Sequence, residues 1–169
     1  MANQWPYIDI FRKYKGNINT FVETGTHYGS SVQDALDLGF DKILSVDINS
    51  VFVSICLEKF ENEIKTGKVK LFLGNSVSVF PKMLEEVTER SMFWLDAHQD
   101  ANTTVLFELA QLYLHPIKNH TIIIDDIPLY FKGENKTKLE NTIKTINSNY
   151  VIEYNPMHNQ EEYQLIAHE

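Results

Sequence analysis

The chain has 169 residues, of which 43% are hydrophobic and 22% are charged, and its formal net charge at pH 7 is −8. This length suits one domain with a sizeable core, and the ordinary composition excludes a disordered chain. Acidic and basic residues are mixed along the chain, so the basic footprint of a nucleic-acid-binding protein is missing. We therefore expect no nucleic acid among its partners.

The sequence also indicates where the protein resides. No apolar stretch approaches the roughly 18 residues of a membrane span, and residues 1–6 lack the basic and apolar regions of a signal peptide. We therefore expect a cytoplasmic protein with no membrane partner. Cys56 is the only cysteine, and its apolar helical surroundings favour a buried structural thiol over a reactive one.

Short apolar runs alternate with segments of helical periodicity. The runs are rich in β-branched and aromatic residues, which is typical of strands buried on both faces. They span residues 20–23, 42–47, 69–73, 92–96 and 121–125. A short amphipathic pattern at residues 8–14 precedes them. This order predicts right-handed crossovers and a mainly parallel sheet.

The end of the chain follows a different pattern. Residues 150–154 and 163–167 are strand-like, and no helical segment separates them. They predict an antiparallel hairpin at the sheet edge, with residues 155–160 as its loop, and bring the expected number of strands to seven. Within the helical segments, Pro81 should lie near the start of its helix, and Gly39 should lie where a helix ends.

Acidic residues follow most of the predicted parallel strands. They are Glu23, Asp47, Asp96, Asp125 and Asp126. Ligands of open α/β sheets bind at the carboxyl ends of the strands. Helix capping is the alternative explanation for any single acid, but Ser30, Asn49 and Ser76 are better placed as caps. The sequence therefore predicts a ligand site at this edge of the sheet.

The first strand-to-helix turn contains two glycines. Gly25 permits a tight turn, and Gly29 would let the helix begin close to a ligand. Asp47 follows about 20 residues later, where an acid can accept hydrogen bonds from ribose hydroxyls. These features predict a nucleoside-containing cofactor. A dinucleotide is disfavoured because the turn reads Gly-x-x-x-Gly and holds no basic residue for a phosphate. His27, inside the turn, faces either the solvent or the substrate.

The segment from Glu23 to Ser31, Glu-x-Gly-x-x-x-Gly-x-Ser, resembles the first motif of class I S-adenosylmethionine-dependent methyltransferases. Its form is close to catechol O-methyltransferase and macrocin O-methyltransferase relatives. The resemblance continues through residues 45–49, 74–76, 95–96 and 125–126. It implies an α/β, Rossmann-like three-layer sandwich whose seven-stranded, mostly parallel sheet ends in an antiparallel hairpin. Residues 1–169 would form one methyltransferase domain, with 1–18 as a short N-terminal extension.

The resemblance also implies how the cofactor is held. Ser31 would hydrogen-bond the carboxylate of S-adenosylmethionine, and Asp47 would bind the ribose hydroxyls. The other implied contacts share these motifs: Glu23, Gly25, Thr26, Gly29, Ile48, Asn75, Ser76 and Asp96.

A metal site is implied as well, since Asp96, Asp125 and Asp126 match the family's metal ligands. Three oxygen ligands with open positions suit Mg²⁺, and Mn²⁺ and Ca²⁺ stay open. The metal would lower the pKa of an acceptor hydroxyl, so the resemblance implies O-methyl transfer to a hydroxylated small molecule or sugar.

The catalytic base is the point at which the chain departs from the family. Catechol O-methyltransferase relatives carry a lysine shortly after the aspartate that matches Asp96, whereas this chain has none there. His98 is the best substitute, because its ordinary pKa suits proton transfer near neutrality, and Asp100 is the second. His98 as a fourth metal ligand or as a polar loop residue stays open.

Two alternatives to a metal-assisted enzyme also stay open. One is a metal-independent class I methyltransferase in which Asp125 and Asp126 contact the substrate. The other is a non-catalytic S-adenosylmethionine-binding domain, suggested by the missing lysine and the reduced N-terminus.

That short N-terminus also predicts an open site, which suits a bulky acceptor or completion by a second subunit in a homo-oligomer.

Overall fold

The computed structural model describes residues 7–97 and 101–169, in which strands and helices alternate. The helices are α1 (Tyr7–Lys15), α2 (Ser30–Asp37), α3 (Ser50–Lys59), α4 (Glu61–Lys65), α5 (Ser76–Leu84), α6 (Ala101–Leu114), α7 (Ile127–Tyr130) and α8 (Glu134–Ile146). The strands are β1 (Thr20–Thr24), β2 (Lys42–Asp47), β3 (Val69–Leu73), β4 (Ser91–Leu95), β5 (Thr121–Ile124), β6 (Val151–Met157) and β7 (Gln160–His168). None of the helices in these ranges is long and apolar enough to cross a membrane.

The strands form one seven-stranded sheet in the order β3-β2-β1-β4-β5-β7-β6. The pairs among β1 to β5 are parallel, whereas β7 is antiparallel to both β5 and β6. The chain order reverses between β1 and β4, so a crevice opens at the carboxyl ends of these strands. This topology confirms the predicted Rossmann-like sheet with its terminal hairpin.

Helices cover both faces of the sheet, which gives the three layers. Successive residues of a strand point to opposite faces. On β1, Phe21 faces one core with α1 and α2, and Val22 faces the other with α5, α6 and α8. Both side chains are fully buried, and this two-sided burial explains why the parallel strands read as continuous apolar runs.

Two details of the predicted elements are wrong. The hairpin loop is shorter than expected, because β6 and β7 extend until only His158 and Asn159, both with positive φ, join them. Pro81 is the sixth residue of α5 rather than an early one. A proline at that position removes one hydrogen bond to the carbonyl of Val77, and the buried neighbours Phe80 and Met83 hold the helix against the core.

Candidate functional site

The turn between β1 and α2 lies against two neighbouring strands. The amide of Gly25 donates to the carbonyl oxygen of Val46 at 2.8 Å. Gly25 has φ +95°, and a Cβ atom there would lie 2.6 Å from the backbone oxygen of Asp96. Glycine is therefore required both by the backbone conformation and by the close approach of the chain beyond β4.

Gly29 has a different task from the one predicted. A Cβ atom at this position would lie 2.6 Å from Cε2 of Phe60 and 3.0 Å from Sγ of Cys56. The missing side chain thus makes room for α3, and Gly29 does not line the cavity described below. The expectation that Gly29 lets the helix approach a ligand is corrected accordingly. Cys56 is fully buried, as predicted.

Asp47 ends β2 with both carboxylate oxygens fixed by backbone amides. Oδ2 accepts from the amide of His27 at 2.8 Å, and Oδ1 accepts from the amide of Asn49 at 2.7 Å. The side chain is half-buried at the edge of the cavity. Each carboxylate oxygen can accept a second hydrogen bond, so Asp47 presents oriented acceptors to the cavity.

Glu23 lies beneath the turn and is fully buried. Its oxygens are hydrogen-bonded to the hydroxyls of Ser31 and Ser45, and it does not line the cavity. Burial, helped by the charges of Asp96 and Asp47, raises the pKa of this carboxyl to about 8. The prediction that Glu23 contacts a cofactor is corrected: its carboxyl supports the turn from below through Ser31 and Ser45.

A cavity of about 560 Å³ opens at the carboxyl ends of β1 to β4. This volume falls in the range of about 300–1,000 Å³ that small-molecule sites occupy. Eight of the predicted cofactor residues line it: Gly25, Thr26, Ser31, Asp47, Ile48, Asn75, Ser76 and Asp96. The structure therefore brings most of the predicted cofactor residues around one space.

Two of the predicted helix caps are wrong. Asn75 caps α5, since its Oδ1 accepts from the amide of Val77 at 2.9 Å, and Ser76 is the first helical residue. At α2 the cap is Gly29 rather than Ser30, and no side chain accepts from the first turn. Asn49 does cap α3, as predicted. The cap of α5 is thus itself part of the cavity wall.

The three predicted metal ligands form a cluster beside the cavity. One oxygen atom from each of Asp96, Asp125 and Asp126 lies within 4.8 Å of the others. Burial and the charge of Asp96 raise the pKa of Asp125 to about 7. Oxygen ligands of Mg²⁺ or Ca²⁺ bind at about 2.0–2.6 Å from the ion, so this spread is compatible with one shared hard cation.

The aspartates of the cluster are contacted by side chains that the sequence analysis did not assign. The amide nitrogen of Gln164 donates to Oδ1 of Asp125 at 3.0 Å, and the hydroxyl of Tyr163 donates to Asp126. Tyr7 lines the cavity, and its hydroxyl approaches Asp125 closely enough for that carboxylate to add to the effect of burial in raising the pKa of Tyr7. Burial, and after it the nearby carboxylates, raise the pKa values of Tyr7 and Tyr163.

Local sequence signals for these contacts are weak. The amphipathic spacing of Tyr7, Phe11 and Tyr14 shows that one face of α1 is apolar, but not that a hydroxyl reaches Asp125. Tyr163 and Gln164 read only as strand residues.

His27 contributes an aromatic side to the cavity. Its ring centroid lies 4.4 Å from those of Tyr28 and Phe52, and both His27 and Phe52 line the cavity. His27 is exposed and has φ +48°. The hydrogen bond from its backbone amide to Asp47 helps to hold this conformation. The ring therefore faces solvent and cavity together, and whether it meets a substrate stays a prediction. The predicted base candidates, His98 and Asp100, lie outside the described residues.

No protein-family model matches the chain, and no curated protein matches it in sequence. Solved structures do share its architecture. An rRNA methylase from Streptococcus thermophilus matches with a TM-score of 0.66 at 12% identity, over 97% of this chain and 94% of that one. A methyltransferase from Podospora anserina with bound S-adenosylhomocysteine (SAH) matches with a TM-score of 0.65 at 11% identity, over 95% and 75%. An O-methyltransferase from Bacillus cereus, also with SAH, has a TM-score of 0.61 at 11% identity, over 99% and 80%. The chain thus has the class I methyltransferase fold.

Proposed function

We propose that this protein is an S-adenosylmethionine-dependent methyltransferase. The observation that carries the proposal is the cavity in which the Gly25 turn and the oriented Asp47 carboxylate meet, beside a cluster of three aspartates. Two of the structures with this fold hold SAH. A fold alone leaves the activity open, so the chemistry of the site residues is the main support.

The described residues fit the parts of this cofactor. Asp47 would accept hydrogen bonds from the ribose hydroxyls, while Asn75 and Ser76 would border the adenine. The Gly25 turn would lie against the methionine part. When bound, S-adenosylmethionine supplies an electrophilic methyl group, and the task of the protein is to hold an acceptor in line with it.

Glu23 supports the proposed role of Ser31. A serine hydroxyl has one proton, and a carboxylate ligand needs that proton as a donor. The hydroxyl of Ser31 donates to Glu23; because burial raises the pKa of Glu23 to about 8, a protonated Glu23 would reverse this hydrogen bond and donate to the Ser31 oxygen. Ser31 is then free to donate its own proton to the cofactor carboxylate. A charged Glu23 would hold that proton instead.

We propose further that the enzyme transfers the methyl group to a hydroxyl with the help of a divalent cation. Asp96, Asp125 and Asp126 would hold the ion, with Mg²⁺ as the first choice because all three supply oxygen atoms. The ion would supply Lewis-acid binding of the acceptor oxygen. His98, or Asp100 in second place, remains our candidate for the group that accepts the hydroxyl proton.

The acceptor that suits this site is a hydroxylated small molecule or sugar. One structure with the same fold is named an O-methyltransferase and another an rRNA methylase. The net charge of −8 disfavours an RNA acceptor, since RNA binding depends on neutralising phosphates. A metal-independent enzyme is the alternative, and activity that withstands chelation would favour it.

Calorimetric titration with SAH, in the presence and absence of Mg²⁺, tests the proposal. We expect micromolar binding by the wild-type protein. Asp47→Ala should weaken SAH binding and leave metal binding intact, whereas Asp125→Ala should do the reverse. Failure of the wild-type protein to bind SAH under either condition would refute the methyltransferase proposal. Unchanged SAH affinity in Asp47→Ala would remove Asp47 from the ribose role.

A further inference from the structure

Side chains from opposite ends of the chain approach the aspartates that follow β5. Tyr163, on β7, donates to Asp126, and its neighbour Gln164 donates to Asp125 at 3.0 Å. Tyr7, on α1, lines the cavity together with Asp96, and its hydroxyl approaches Asp125. The consecutive carboxylates therefore lie between α1 on one side and the terminal hairpin on the other.

Tyr7 and Gln164 are themselves fixed by contacts with their neighbours. The Tyr7 ring lies 4.8 Å from the Trp94 ring and 6.5 Å from the Phe11 ring, measured between centroids. Gln164 is fully buried, and its Oε1 accepts from the side-chain amide of Asn155 at 2.9 Å. Donors held in this way can fix the orientation of the carboxylates that they contact.

A cluster of three carboxylates also needs a particular kind of partner. Like charges within 4.8 Å repel one another, and a lysine or arginine among them would neutralise the charge that attracts a cation. A phenol or amide donor orients a carboxylate without adding a positive charge. Tyr7, Tyr163 and Gln164 are donors of this kind.

We propose that Tyr7 and Tyr163 are positioning residues that hold Asp125 and Asp126 in the orientation needed to bind a divalent cation. The proposal rests on the metal site proposed above. It makes metal affinity depend on the docking of α1 and of the hairpin, two segments that flank the methyltransferase motifs. Outer partners of metal ligands commonly change metal affinity by about 10- to 100-fold when they are removed.

The chain offers a matched control for each tyrosine. Tyr14, also on α1, donates its hydroxyl to Glu153, and Tyr154, on the hairpin, donates to Glu140 at 2.6 Å. Neither control carboxylate belongs to the cluster. The variants Tyr7→Phe, Tyr163→Phe, Tyr14→Phe and Tyr154→Phe therefore each remove one tyrosine hydroxyl that faces a carboxylate, and only the first two remove it at the aspartates.

The experiment is titration of each full-length variant with Mn²⁺, followed by electron paramagnetic resonance of the free ion, without cofactor. We expect Tyr7→Phe and Tyr163→Phe to bind Mn²⁺ about tenfold more weakly, and the two controls to bind it as the wild-type protein does. Thermal unfolding of all four variants separates loss of affinity from loss of structure. Mn²⁺ affinity that is unchanged or higher in both Tyr7→Phe and Tyr163→Phe would overturn the inference.

A parallel SAH titration separates this inference from the proposed function. Wild-type protein that binds Mn²⁺ but no SAH would refute the methyltransferase proposal, while the tyrosine comparison would still stand on the metal data. Wild-type protein that binds SAH but no Mn²⁺ would retain the cofactor assignment and overturn both the metal site and this inference. Equal weakening of Mn²⁺ binding in controls and test variants would also overturn it.

Discussion

At the scale of single residues, the conformation of one glycine decides whether the cavity exists. Gly25 combines φ +95° with a position where a Cβ atom would meet the backbone of Asp96 at 2.6 Å. Backbone atoms cannot move aside as a flexible side chain would. Widening this contact would displace either the turn or the chain beyond β4, and both line the cavity.

We predict that Gly25→Ala abolishes SAH binding and destabilises the protein by more than the roughly 1–2 kcal/mol of left-handed strain alone. Gly39→Ala is the control, since Gly39 has φ +74° with nothing within 4 Å of an added Cβ atom. Calorimetric titration and urea unfolding of both variants measure the difference. Equal stabilities, with SAH binding retained in Gly25→Ala, would contradict this explanation.

Glu23 provides a second prediction at this scale, through pH. Burial raises its pKa from 4.5 to about 8, so the folded protein holds a proton that the unfolded chain releases above pH 4.5. The stability that the folded protein gains from holding this proton is complete below pH 4.5 and is lost as the pH rises toward 8. Glu23→Gln keeps a neutral side chain with one donor and one acceptor for Ser31 and Ser45.

We therefore expect the Glu23→Gln variant to match the wild-type stability near pH 4.5 and to exceed it at pH 8. The difference should grow by up to about 1.4 kcal/mol for each pH unit between these limits. Urea unfolding from pH 4.5 to 8 measures it. Parallel stability curves for the two proteins would show that Glu23 is charged in the folded state.

At the scale of elements, a chain of hydrogen bonds ties α6 to the sheet at the edge opposite the cavity. The amide of Ser91 donates to Nδ1 of His120 at 3.1 Å, and Nε2 of His120 lies 3.2 Å from Nδ1 of His115. Nε2 of His115 lies 3.1 Å from the carbonyl oxygen of Val87. These hydrogen bonds are all satisfied when Nδ1 of each histidine accepts and Nε2 of each donates.

Protonation of His120 at acidic pH should break this series of hydrogen bonds. Burial, helped by His115 and Arg90, lowers the pKa of His120 from 6.5 to about 3. The unfolded chain therefore binds a proton below pH 6.5 that the folded protein excludes, and stability falls as the pH drops from 6.5 toward 3. His120→Asn retains an acceptor for Ser91, so we predict lower stability at pH 7 but a shallower loss in acid. Guanidinium unfolding from pH 4 to 7 tests this, and an equally steep loss in the variant would refute it.

The elements themselves were largely predictable from the sequence. β2 has the predicted bounds, because a strand buried on both faces leaves a continuous apolar run. The hairpin was predicted with too long a loop, because β6 is an edge strand whose residues are mostly half-buried. Partial burial weakens the hydrophobic pattern on which strand bounds depend.

At the scale of the whole molecule, α1 closes one face of the sheet. Phe11 is fully buried, and its ring lies 5.0 Å from that of Phe21 on β1 and 5.2 Å from that of Trp94 on β4. The helix also carries Tyr7 to the cavity. Packing of α1 on the sheet therefore also places Tyr7 at the site.

We predict that Phe11→Ala lowers the free energy of unfolding by about 3–5 kcal/mol and weakens Mn²⁺ binding together with it, because Tyr7 loses its support. Tyr14→Phe, on the same helix, should change stability by about 1 kcal/mol or less. Calorimetric unfolding also tests cooperativity. A separate low-temperature transition in the wild-type protein would show that α1 folds independently of the sheet.

The sequence by itself determined the order of strands and helices, the glycine of the first turn and the acids at the strand ends. These follow from local properties, namely the period of burial, the φ angle open to glycine and the rule that parallel strands end at one edge. Only the tertiary structure decided that Gly29 makes room for Phe60, that Glu23 is fully buried, and that Gln164 donates to Asp125. Such contacts join residues distant in sequence, and they depend on how each helix and the hairpin dock on the sheet, which no local pattern records.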